Sequence, residues 1–275
     1  MDRHNSIRKD RKGRNPKPNV LKFKAGGKKP TWVFVAGTYR TASTTQYCIA
    51  RDIVEETHSG IGIGYHQESK LRDFDVPSPH RYVVCKVFEF LPNGFQGQPS
   101  VGQIIYQEER LRVLATIRDP RDIITSMQER HKRQMEDPRH MRGPFDFEER
   151  VTVDFPRWLG QLEDWINLGP EITLTSRYEE FTQDLVGEVR RISRHLGLLL
   201  EDKNIRKIAL RYTTDAIQER KLRKRKASQK EDPWLPSIPG ILFGKSGTYQ
   251  DHLTPKEIEL VEEANGEWMR KFGYL

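Results

Sequence analysis

The chain alternates between short runs that are apolar on both faces and longer stretches in which apolar residues recur every three or four positions. Four short runs are rich in β-branched or aromatic residues: Trp32 to Ala36, Tyr82 to Phe88, Arg112 to Ile117 and Ile172 to Thr175. Such runs predict the central strands of a parallel sheet, which is covered on both sides. Helical periodicity follows at about 43–57, from Asp119 onward, at about 155–168, at 179–196 and at 254–273. Asp119-Pro120-Arg121-Asp122 supplies an N-cap, a proline at the first helical position and an acid in the first turn. Within 179–196, Leu185, Val189, Ile192 and Leu196 share one face and Gly197 marks the end. The stretch "TPKEIELVEEANGEWMRKFG" adds a Thr-Pro-x-Glu capping box, an inner face of Ile258, Val261, Trp268 and Phe272, and a terminal Gly273. Together these predict an α/β fold: a doubly wound, mainly parallel sheet flanked by helices. Ligands of such folds sit beyond the carboxyl ends of the strands. Arg40, Lys86 and Arg118 stand at or just after the ends of the first three strands.

Composition narrows the picture. The 275 residues are 31% charged and 35% hydrophobic with a net charge of +8, which suits one large α/β domain. The charge is unevenly placed. Residues 1–30 hold eleven Lys or Arg against Asp2 and Asp10, so that segment carries about +9 and the remainder about −1. Residues 1–30 are therefore expected to be a basic, flexible arm, and 31–275 a single domain. The arm reads as a solubility segment or as a polyanion-binding one; nucleic acid is not the expected partner. A second basic run, "ERKLRKRKASQK" at 219–230, could face an anionic ligand or be an exposed loop. No apolar run approaches the ~18 residues of a membrane span, and no signal-peptide pattern opens the chain. Cys48 and Cys85 lie in apolar patterns, as buried free thiols of a reducing compartment do, so the expected location is cytoplasmic. His and Cys spacing gives no metal site.

Two stretches carry candidate chemistry. In "TWVFVAGTYRTASTTQYCIARDIVEE" a strand ends at Gly37, a polar turn of Thr38 to Thr45 follows, and a helix begins. The turn holds Arg40 and the hydroxyls of Thr41, Ser43, Thr44 and Thr45, a composition suited to an anion at a helix N-terminus. It is not the Gly-x-x-x-x-Gly-Lys-Ser/Thr loop of nucleoside-triphosphate enzymes. The "GKS" at 244–246 is not one either, since position 239 is proline and no strand precedes it. In "RVLATIRDPRDIITSMQER" the strand delivers Arg118, while Asp119 and Ser126, seven apart, share a helical face. A guanidinium beside a hydroxyl suits a phosphate monoester. Taken alone, Arg118 reads equally as half of a surface ion pair.

Taken together, "GTYRTASTT" and "RDPRDIITS" resemble the sulfotransferases that use 3′-phosphoadenosine 5′-phosphosulfate (PAPS), with a P-loop-like architecture. The family's second motif, Arg-x-Pro-Arg-Asp-x-x-x-Ser, is complete in Arg118, Pro120, Arg121, Asp122 and Ser126. Its first keeps Gly37, Arg40 and Thr44, with hydroxyls at Thr41 and Ser43, and places Ala42 where the family has glycine. Alanine suits that place if its φ is negative. "ITLTSRYEEFTQDLVGEVRRISRHLGL" is similar to the family's strand, Tyr-Glu pair and helix. "FGKSGTYQDHLTPKEIE" is similar to its C-terminal Lys-Gly-x-x-Gly segment, keeping Gly244 and Gly247, with Lys245 in place of the usual lysine.

The resemblance implies sulfuryl transfer from PAPS to a hydroxyl or amine acceptor by in-line displacement, releasing 3′-phosphoadenosine 5′-phosphate (PAP), with no metal. It implies that Arg40 and the residues 41–45, Ala42 among them, cradle the phosphosulfate. It gives the 3′-phosphate to Arg118 and Ser126, the adenine to Tyr178, and a further nucleotide contact to Gly244 and Lys245. Lys86 in "YVVCKVFEF" would touch the sulfuryl oxygens; two residues on, the family's histidine is Phe88 here. The general base is then Glu68 in "GIGYHQESK", ahead of Glu89 and His66. The acceptor, a small molecule or carbohydrate, would meet aromatics among Tyr65, Phe74, Phe95, Phe145 and Trp234. Two other classes remain open at this point: a P-loop-type small-molecule kinase and a non-catalytic polyanion-binding protein.

Overall fold

The computed structural model describes residues 29–66, 71, 80–87, 100–136, 143–219 and 245–275. Its strands are β1 (Thr31–Gly37), β2 (Gly60–Tyr65), β3 (Tyr82–Lys86), β4 (Leu111–Ile117) and β5 (Thr173–Arg177). They form one sheet in the order β2-β3-β1-β4-β5, and each neighbouring pair is parallel. The helices are α1 (Ser43–Glu56), α2 (Val101–Gln107), α3 (Pro120–Met135), α4 (Phe155–Ile166), α5 (Tyr178–Gln183), α6 (Leu185–His195), α7 (Asp202–Leu210) and α8 (Pro255–Lys271). A π-helical turn, Arg150–Asp154, leads into α4.

The period of two along β1 decides how the layers form. Trp32 and Phe34 face a core built with α2, α3, α4 and α8, through Ile105, Ile123, Leu162, Trp165 and Trp268. Val33 and Val35 face the other core, built with α1, α6 and α7 through Ile49, Ile53, Val189, Ile192 and Ile208. Trp32 to Ala36 are at most 1% exposed, so the central strand is sealed on both faces, as the apolar runs predict. Cys48 and Cys85 are both buried and form no disulfide.

Four details depart from the sequence reading. "GIGIGY" is the edge strand β2 rather than part of a loop, because its glycines admit close neighbours. A Cβ on Gly60 would lie 2.6 Å from the Tyr82 carbonyl oxygen, and one on Gly62 2.3 Å from the Arg51 side chain. The expected single helix at 179–196 is two, α5 and α6, broken at Asp184, whose carboxylate accepts from the Gly187 N–H at 2.8 Å and so caps α6. β5 runs two residues further than expected, to Arg177. Lys29 and Pro30, read as the end of the arm, touch the body: Lys29 Nζ donates to Glu108 Oε1 at 2.6 Å, and Arg110 Nη1 donates to the Pro30 carbonyl at 2.6 Å.

Phe34 is the packing centre of the first core, edge-on to Trp32 at 5.9 Å and to Trp165 at 5.8 Å. Phe34→Ala should cost ~3–5 kcal/mol through the cavity it leaves. At roughly 2–4 °C per kcal/mol for a chain of this size, the thermal midpoint should fall by about 10 °C. A loss below ~1 kcal/mol in a denaturant titration would contradict this packing.

Candidate active site at the carboxyl ends of the central strands

The turn between β1 and α1 is shaped by two residues in left-handed conformation, Arg40 (φ 66°) and Ala42 (φ 69°). This corrects the expectation of a negative φ at Ala42. An alanine there pays the left-handed strain that a glycine escapes. Gly37 cannot be replaced: an added Cβ would lie 2.7 Å from both Ser43 Cβ and Thr116 Oγ1. Ala42 is also the N-cap of α1 and has no side chain able to cap it. The Thr45 N–H donates to the Ala42 carbonyl at 2.9 Å, but no side chain caps the start of α1, the condition under which helix N-termini take up anions.

Hydroxyls tie the turn to the sheet. Thr41 Oγ1 donates to the Thr38 carbonyl at 2.9 Å and lies 3.0 Å from Thr116 Oγ1 on β4. Lys86, at the end of β3, donates from Nζ to Thr44 Oγ1 at 2.6 Å. Burial pushes the Lys86 ammonium down to about 8. Ser43, Thr45 and Thr38 are buried, and the Oγ1 atoms of Thr38 and Thr45 have no hydrogen-bond partner.

Arginines converge on the same turn from the far side. Arg118 leaves β4 only 3% exposed, donates from Nη1 to the Arg40 carbonyl at 3.0 Å, and stacks over the Tyr178 ring at 4.0 Å. Its Nε is buried without a partner. Arg40 Nε donates to Ser126 Oγ at 2.9 Å. Burial, followed by the nearby cations Arg130, Arg118 and Arg133, lowers Arg40 to about 10. Among the described residues no carboxylate pairs with Arg40 or Arg118. Buried cations gathered without counter-charge, beside orphaned hydroxyls and an uncapped helix end, fit an anion bearing several oxygens.

Arg121 and Asp122 have different work. Arg121 is held by Asp119, by Glu262 Oε1 at 2.6 Å and by the Tyr274 carbonyl at 2.8 Å, and its guanidinium covers the Tyr249 ring at 4.4 Å. Asp122 accepts from the Gly247 N–H at 2.7 Å, from the Tyr249 N–H at 3.2 Å and from Thr248 Oγ1 at 3.3 Å. Asp119 caps α3 through the Arg121 N–H at 2.9 Å and so does not share the Arg118 and Ser126 site, contrary to what the helical face suggested. Lys245 is exposed, next to this clasp. Gly244, Glu68 and Glu89 lie outside the described residues, as do Phe74, Phe88, Phe95, Trp234 and all of the 219–230 run except Glu219.

The family model described as the sulfotransferase domain matches residues 100–273. The chain belongs to the sulfotransferase family. Solved structures agree on the fold. A retinol dehydratase in complex with androsterone and inactive cofactor PAP aligns at TM-score 0.59 and 16% identity, over 88% of this chain and 81% of that one. The mouse sulfotransferase SULT7A1 complexed with PAP aligns at TM-score 0.59 and 18% identity, over 89% and 86%. No curated protein sequence matches.

In this sulfotransferase the turn of residues 40–45 lies against Lys86, Arg118 and Ser126, and Arg118 in turn lies over Tyr178. The structure adds Tyr39 and Trp158, whose rings meet edge-on at 4.9 Å over the turn. Trp158 sits on the amphipathic α4, where helical spacing makes it look like core, and no motif singles it out. Among the described residues no helix is long and apolar enough to cross a membrane, and no group of three His, Cys, Asp or Glu side chains could hold a metal.

Ala42→Gly should relieve left-handed strain of ~1–2 kcal/mol against an unfolded-state entropy cost of ~0.4–1 kcal/mol. The thermal midpoint should therefore hold or rise by a few degrees. A drop of the size usual for Ala→Gly in a helix, about 1 kcal/mol, would overturn the strain.

Proposed function

We propose that residues 31–275 act as one catalytic domain that transfers the sulfuryl group of PAPS to the hydroxyl or amine of a small molecule or carbohydrate, with the basic residues 1–30 as an arm whose last two residues, Lys29 and Pro30, are tied to it. The observation that carries this reading is the meeting of Arg40 and Arg118, neither paired with a carboxylate, at an uncapped helix N-terminus. The N–H groups at the start of α1 and the hydroxyls of Ser43, Thr44 and Thr45 receive the 5′-phosphosulfate. Arg40 offsets the charge that builds on the leaving phosphate. Arg118 and Ser126 receive the 3′-phosphate, and Tyr178, already stacked on Arg118, lies against the adenine. Gly244 and Lys245, which precede the segment that Asp122 clasps, supply a further nucleotide contact.

The acceptor oxygen attacks sulfur while the bond from sulfur to the bridging phosphate oxygen breaks, and PAP leaves with that electron pair. Lys86 contacts the sulfuryl oxygens. The acceptor proton passes to Glu68, with Glu89 and then His66 as the alternative bases. His66 is fixed beside Lys86, its backbone N–H donating to the Lys86 carbonyl at 3.1 Å and its Nε2 lying 2.8 Å from the Ile63 carbonyl. A P-loop kinase reading loses ground because the turn offers Ala42 and Ser43 where that loop carries its second glycine and its lysine.

Calorimetry with PAP and with adenosine 5′-monophosphate tests the nucleotide assignment. PAP should bind more tightly, and Arg118→Ala should weaken PAP ~10–100-fold while leaving the monophosphate nearly unchanged, the scale of one charged hydrogen-bonding partner. Equal affinity for the two nucleotides would sink the proposal.

The pH profile of kcat/KM checks the catalytic residues. Burial lowers the Lys86 ammonium to about 8, so its positive charge is lost as pH rises through that value and the rate should fall. Lys86→Arg should remove the alkaline limb, and Glu68→Gln the acidic one. An unchanged profile in both variants would reassign these roles.

A further inference from the structure

A cavity of about 300 Å³ opens just outside Arg40, walled by Tyr39, Phe145 and Trp158 and by the guanidiniums of Arg40, Arg130 and Arg150. The cations in it are unequal. Arg150 is neutralised by the Asp154 carboxylate, its partner one helical turn on. Arg40 and Arg130 have no such partner among the described residues, and Arg130 is close enough to push on the Arg40 charge. Arg130 stands four residues after Ser126 on α3, on the same stripe of the helix and about 6 Å further along its axis. That is a full turn beyond the hydroxyl assigned to the nucleotide. Across the Tyr39–Trp158 pair lies a second cleft of about 190 Å³, reaching Gly37, Thr38 and Tyr65. Tyr65 pairs in register with Lys86, so this second cleft leads toward the reacting side of the turn.

We infer that the acceptor is a small, flat molecule bearing an anionic group, and that Arg130 recognises the anion while the reacting hydroxyl lies toward Lys86. The inference rests on the sulfuryl-transfer reading and names its acceptor class. Aromatic walls supply flat, apolar contact for a ring. A neutral apolar acceptor would cover Arg130 and strip it of water with nothing in exchange, which is a selection against that class. With Arg40 committed to the nucleotide, a carboxylate, sulfate or phosphate on the ring would repair the charge imbalance left by Arg130.

Two fluorescent probes separate the classes: 6-hydroxy-2-naphthoate and its neutral counterpart 2-naphthol, titrated into the full chain with and without saturating PAP. The naphthoate should bind about tenfold more tightly, as expected for one charge-assisted contact. Arg130→Ala should bring the two probes within about threefold, and Arg130→Glu should reverse the order. Arg130 is exposed on α3, so neither substitution opens the core. Equal affinities, a preference for 2-naphthol, binding of neither probe, or a preference that survives Arg130→Glu would each overturn the inference. Loss of PAP binding in the unaltered protein would instead count against the nucleotide reading, and the probe preference is still read without PAP.

Discussion

The site depends first on Arg118. A guanidinium that is 3% exposed and has no carboxylate beside it should be expensive to bury. It is kept there by two contacts that do not cancel its charge, the Arg40 carbonyl and the face of Tyr178. The first fastens the left-handed turn after β1 to the strand next to it. The second joins that turn to the start of α5. Both contacts leave the positive potential intact, and with Arg40 a few ångströms away that potential has one natural outlet, a bound polyanion. The fold carries an electrostatic cost at this point that a bound polyanion would offset.

Much of this was legible in the chain because strands sealed on both faces leave an unmistakable run of apolar residues. β1, β3 and β4, together with α3 and α8 and their caps, could be placed from pattern alone. Gly60–Tyr65 could not, because alternate glycines carry no apolar signal; they are there to let Tyr82 and Arg51 approach. The split at Asp184 was hidden for the opposite reason. The periodicity of Leu185, Val189 and Ile192 continues past a carboxylate that ends one helix and caps the next. At the site, residue types announced Arg40, Arg118 and Ser126, whereas Tyr39 and Trp158 act through a ring contact between distant segments that no spacing encodes.

The motif "RDPRD" divides its labour more sharply than its compactness suggests. Arg118 faces the turn after β1, while Arg121 and Asp122 turn to the C-terminal segment and carry structure. Arg121 reads carbonyl and carboxylate groups of the C-terminal helix region, and Asp122 reads backbone N–H groups of the glycine-containing segment before it. A helix N-terminus is well suited to this, since the carboxylate at its first turn is already stabilised by the helix dipole. Arg177 adds a parallel tie from the end of β5, donating to the Phe272 carbonyl at 2.6 Å and covering the Tyr274 ring at 4.4 Å.

The Asp122 clasp also sets a clock on biosynthesis. Its partner Gly247 follows it by 125 residues. At roughly 5–20 residues per second, the ribosome delivers that partner on the order of ten seconds later. Throughout that interval β1, β4 and α3 can already be made, yet a carboxylate destined to be 1% exposed and the Arg121 guanidinium beside it still face solvent. The nascent sheet can therefore collapse early, but the N-terminal end of α3 is fixed only when 247–274 arrives. The Asp122 clasp therefore closes late, and that interval is when chaperone binding or misassembly has its opening.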